Sequence, residues 1–130
     1  MTSVAPRRQN EMDLMNTEIS FQVCADYLQV TLTGAYPVER ELLETLRDEA
    51  QRVNREKILV NAFGLASPRT EIDRFWLGKT IADVFTHRFK IAALVRHEFI
   101  SSAAENTAVN RGARFFVTSD EKTALRWLIE

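Results

Sequence analysis

A single cysteine, Cys24, stands in the 130 residues, which excludes an intrachain disulfide and every multi-cysteine metal site. That usage fits a reducing compartment, so the expected address is the cytoplasm. No apolar run approaches the roughly 20 residues that a membrane helix requires. The first sixteen residues hold Arg7 and Arg8 but no continuous apolar stretch ahead of a small-residue cleavage site, so they do not read as a secretory signal. Charge bias is equally scarce: 17 basic against 18 acidic side chains give a net charge of -1. Non-specific duplex binding runs on a basic face that neutralises phosphates, so no nucleic-acid partner is expected.

Motifs for common chemistries are missing as well. The chain has no P-loop, no G-x-G-x-x-G, no H-E-x-x-H and no G-x-S-x-G; the GLASP stretch from Gly64 to Pro68 places its serine at the wrong spacing. Cys24 has no nearby histidine in sequence and reads as a small hydrophobe. His87 and His97 flank a strand and stand too far apart along it to share a metal. No metal, no cofactor and no catalytic residue is therefore expected.

What is present is an ordinary globular mixture, 45% hydrophobic and 27% charged. At this length one domain buries roughly two thirds of its unfolded surface. Residues 1–16 are polar, carry Pro6 and lack periodicity, so they are read as a disordered tail, with a single domain over residues 17–130. Ile19, Phe21 and Val23 alternate with polar positions, as do Leu28, Val30 and Leu32 after a break at Ala25-Asp26, which predicts a β-hairpin with one buried face. From Val38 to about Asn54, the residues Leu42, Leu43, Leu46, Ala50 and Val53 fall within about a 100° arc of a helix. The apolar runs KILVNA (57–62) and FKIAALV (89–95) read as buried strands. Between them a helix over 70–86 opens on a capping-box spacing of Thr70 and Asp73. A helix over 98–111 ends at Gly112, a short strand spans 114–117, and the last helix starts behind Thr118 or Ser119.

The expected fold is α/β: an N-terminal β-hairpin followed by β-α units, giving a five-stranded, mixed but mostly parallel sheet with four helices. Leu43, Leu46, Ile58, Val60, Ile81, Ile91, Ala93 and Leu125 are expected in one core.

A V-x-L-x-G segment (Val30 to Gly34) before a long amphipathic helix, then a buried strand ending near Asn61, resembles the STAS domains of anti-sigma-factor antagonists. The run from Glu105 to Leu128 is similar to the bacterial SpoIIAA-like group, with its E-N-x-A-x-x-R-G-A stretch and closing D-E-x-x-A-L-x-W-L helix. The resemblance implies an open β/α sandwich related in outline to the CRAL-TRIO lipid carriers. In regulatory STAS antagonists a serine in a D-S-S-G-like element after the third strand is phosphorylated. Counting from Asn61, that place falls on Arg69 and Thr70, where a cation replaces the acid and Thr70 reads as an N-cap. Antagonist activity is therefore not inherited from the fold.

Two groups of residues are functional candidates. The loops after the third, fourth and fifth expected strands bring Arg69 with Thr70, Arg96 with His97, and Thr118 with Ser119 to one sheet edge. Three helix N-termini meet there too, an arrangement that suits an anion such as phosphate; the same residues also serve as ordinary caps. On the second helix Leu77, Ile81, Val84 and Phe85 make a sufficient core face, which leaves Ile72, Phe75 and Trp76 on the other side, either as a self-association or partner surface, with an apolar ligand as second occupant, or as a face covered by the 63–70 loop or the N-terminal tail. Asn106, Asn110, Arg111 and Gly112 read as structural: Asn106 bonding a neighbouring loop, the others ending a helix. The leading function is a non-enzymatic binding or regulatory domain acting on a protein partner or a second copy. A carrier of a small amphipathic ligand follows, and an enzyme using the loop edge comes third.

Overall fold

The computed structural model describes residues 11–14, 17–34, 40–66, 70–100 and 102–130. Strands β1 (Glu11–Leu14), β2 (Thr17–Val23) and β3 (Leu28–Gly34) form an antiparallel meander, with Leu14 opposite Thr17 and Ile19 opposite Leu32. The alternation read from the sequence has its expected effect over most of the hairpin: Ile19, Phe21, Leu28, Val30 and Leu32 are buried, while Glu18 and Gln22 face water; Val23, expected on the buried face, stands at the end of β2 and is exposed. Helix α1 (Arg40–Arg52) then leads to β4 (Lys57–Leu65), which pairs parallel with β3. Two further crossovers, through α2 (Glu71–Phe85) and α3 (Ser102–Asn110), add β5 (Lys90–Leu94) and β6 (Arg114–Thr118) in parallel, and α4 (Glu121–Ile129) closes the chain. The strands lie in chain order across the sheet.

The five expected strands and four helices are all present. A sixth strand, β1, arises inside the segment read as a disordered tail, because backbone pairing with β2 needs no hydrophobic periodicity from its partner. Residues 1–10 and 15–16 lie outside the described residues. The helix expected over 98–111 is shorter, with a 3-10 turn at His97–Phe99 standing between β5 and α3.

The expectation of one core is also corrected. Buried parallel strands send alternate side chains to opposite faces. Ile58, Val60 and Ile91 therefore join Leu43, Leu46 and Ile81 beneath α1, α2 and α3, with Ala93 packed against them. Leu59, Ala92 and Leu94 point the other way, where Ala124, Leu128 and the flanking Leu125 of α4 cover them. Leu125 belongs to this second cluster. On the hairpin the second face is polar and needs no such cover.

Close packing of α2 on α3 depends on Gly78, since a Cβ there would lie 2.4 Å from the Ala104 carbonyl oxygen and 2.8 Å from Thr107 Cβ. The C-terminus of α4 is held by two lysines. Lys57 Nζ donates to the Ile129 carbonyl at 3.2 Å, and Lys90 Nζ donates to those of Trp127 and Glu130 at 2.5 and 3.2 Å. Burial lowers the Lys90 pKa, helped by the nearby cations Arg114 and Lys57, yet its role is accounted for by these carbonyls and the Trp127 ring 4.6 Å away.

Candidate functional site

The sheet edge at the carboxyl ends of β4, β5 and β6 gathers most of the expected anion-binding residues. The Val95 N–H donates to the Thr118 carbonyl at 3.0 Å, which holds the Arg96 and Thr118 loops side by side. Their polar groups are engaged locally. Thr70 caps α2 by accepting from the Asp73 N–H at 3.0 Å, and the Thr118 hydroxyl accepts from the Asp120 N–H at 3.2 Å. The cap of α4 is Asp120, two residues beyond Thr118 and one beyond Ser119, the expected caps, because its carboxylate reaches the Thr123 N–H at 2.9 Å. The hydroxyl and N–H of Thr123 hold the Asp120 carboxyl below the usual range, so the third loop carries a negative charge of its own. The start of α3 is displaced from β5 by the 3-10 turn, which His97 opens as an exposed residue. Arg96 is exposed, 3.6 Å from the Glu98 carboxylate and stacked on the Phe99 ring at 4.9 Å. Arg69 lies outside the described residues.

The E-N-T-A-V-N-R-G motif performs structural work. The Gly112 N–H bonds the Val109 carbonyl and the Ala113 N–H bonds the Ala108 carbonyl, both at 3.0 Å. With Gly112 at φ +97°, this is a Schellman ending. Asn110 closes α3 as an exposed residue, and Arg111 lies over the Phe75 ring at 5.6 Å. The link to a neighbour expected of Asn106, which is exposed, is made by Glu105. Its carboxylate accepts from the Val117 N–H of the edge strand β6 at 2.7 Å.

Helix α2 has two different sides. Outward, Ile72, Phe75 and Trp76 are 68%, 39% and 53% exposed. The two rings meet edge to face at 5.5 Å, and Lys79 stands 5.5 Å from the Trp76 ring. Lys79 and Asp83 continue this side as an ion pair of 3.6 Å.

Inward, α2 roofs an apolar cavity of about 130 Å³. Leu46, Ile81, Phe85 and Ile91 form its buried floor; Leu65, Ala66, Arg74 and Phe99 line it toward the more exposed carboxyl ends of the strands. Arg74 was not among the candidates, and its signal in sequence is a cation placed close to the positive end of a helix. Among the described residues, no three His, Cys, Asp or Glu side chains are grouped to hold a metal ion, and no helix is long and apolar enough to cross a membrane.

No family model and no curated protein matches the sequence. Several solved structures are similar, among them the following two. One is an anti-sigma factor antagonist from Mycobacterium paratuberculosis, 9% identical, with a TM-score of 0.58 over 88% of this chain and 95% of that one. The other is an uncharacterized protein of the DUF3478 family with a SpoIIAA-like fold, from Shewanella loihica. It is 21% identical, with a TM-score of 0.53 over 90% of this chain and 97% of that one. The hairpin, the ordered parallel crossovers and these two likenesses lead to one conclusion: the chain has the STAS or SpoIIAA-like fold.

Proposed function

We propose that the chain is a non-enzymatic regulatory domain that acts by protein contact through the outer side of α2, with a second copy of itself as the first partner. The exposure of Ile72, Phe75 and Trp76 on one helix face carries the reading. An Ile or Phe taken fully out of water is worth about 1.5–3 kcal/mol, so a face left this open gains from being covered. Aromatic groups with stacked cations are the usual anchors of such contacts. The charges that continue the stripe are paired, Asp83 with Lys79 at 3.6 Å and with Arg40 at 3.2 Å, so they do not bar a second copy. The anti-sigma factor antagonist of similar fold supports a regulatory role reached through protein contact. The cytoplasm is the proposed place of action, on the strength of the single cysteine.

Acrylamide quenching in a Trp127→Phe background, where Trp76 is the remaining indole, tests the reading. Trp76 is expected to be freely quenched in dilute protein and protected as the concentration rises. Protection at every concentration would mean that the chain itself covers the ring; free quenching at every concentration would remove self-association and leave a different protein as partner.

A further inference from the structure

We infer that the cavity on the inner side of α2 binds a compact apolar monocarboxylate, with its body in the cavity and its carboxylate on Arg74. This goes beyond the contact surface proposed above, which uses the opposite side of the helix, and either can fail alone. The volume, about 130 Å³, is close to that of the roughly 150 Å³ dry cavity known to accept benzene. It admits a ring or short branched chain and is too small for a long acyl chain.

The lining sets the chemistry. Among the described residues, every lining residue except Arg74 is apolar, so a neutral polar ligand would lose its hydrogen bonds there. The Arg74 side chain is only 22% exposed, and its Glu71 partner, at 3.1 Å, is 76% exposed. An i,i+3 pair with one solvent-exposed partner contributes little, too little to explain a guanidinium drawn against an apolar cavity near the positive end of a helix. Among the described residues Arg74 meets Glu71 Oε1 through Nη1, and a guanidinium fork has five N–H donors to share with a further acceptor. One guanidinium matches a carboxylate in charge and in fork geometry, whereas a phosphate dianion would carry excess charge to an apolar wall.

Calorimetric titration with benzoate, and with benzyl alcohol as a neutral probe of similar shape, tests the inference. The wild type is expected to bind benzoate and to melt at higher temperature in its presence, with benzyl alcohol at least about tenfold weaker. Arg74→Gln should weaken benzoate on the order of ten- to a hundredfold, the loss of one charge-assisted pair, and leave benzyl alcohol unchanged. Ala93→Leu fills the cavity and should abolish binding of both probes; Ala62→Leu fills another part of the wall and serves if the first variant does not fold. Absence of benzoate binding at millimolar concentration, equal affinity for the two probes, undiminished binding by Arg74→Gln, or undiminished binding by a folded filled-cavity variant would each overturn it.

Discussion

Gly78 sits in the middle of a helix, where alanine is intrinsically favoured by up to about 1 kcal/mol. Packing reverses the preference. A methyl group there would lie 2.4 Å from a backbone oxygen of α3, and backbone yields less readily than a side chain. Gly78→Ala is therefore expected to destabilise by about 1–3 kcal/mol, the cost of overpacking, as measured by urea unfolding; a stabilised variant would mean that the two helices are not in contact at this point. Side-chain roles of this kind are the least legible in sequence. Glu105 and Asn106 are neighbours in one polar motif, and only the register of α3 against β6 decides that the glutamate reaches the Val117 N–H. Arg74 is similar: its unfavourable place near a helix start is visible in the letters, but the apolar cavity beside it requires the fold.

Elements were far more legible, because their causes are local. The 3.6-residue spacing of Leu42, Leu43, Leu46 and Ala50 makes α1 on its own evidence, and all four are buried. Thr70 and Gly112 mark helix ends through chemistry that acts within a few residues. Less legible were β1, whose pairing depends on a partner strand rather than on its own pattern, and the 3-10 turn at His97–Phe99. The cap of α4 gives a prediction in pH. Thr123 holds the folded Asp120 carboxyl below its ordinary value near 3.8. Its contribution is thus whole above that value and lost as pH falls through the lower, folded one. Asparagine caps nearly as well as aspartate, so Asp120→Asn should leave neutral-pH stability almost unchanged and flatten the acid limb of a melting-temperature profile taken down to about pH 2. An unaltered acid limb would show that the carboxylate does not cap the helix.

In the whole molecule, three helices cover one face of the sheet and one covers part of the other, a layering that follows from strand alternation once the crossovers are right-handed. Reading the buried strands as continuous apolar runs identified them correctly, yet concealed that their residues divide between two cores, which is why Leu125 lies apart from Leu46. The same layering leaves α2 with a side that packs and a side that does not. That Ile72, Phe75 and Trp76 stand outside the core was legible from helical projection, since Leu77, Ile81 and Phe85 already supply a sufficient inner face. On the proposed reading, a second copy covers them. Sedimentation velocity over a range of concentrations tests this most directly, comparing the wild type with Trp76→Glu. The wild type is predicted to associate reversibly, and the variant to remain a monomer with an unchanged melting temperature at low concentration. A wild type that stays monomeric throughout, or a variant that associates as strongly as the wild type, would contradict the account.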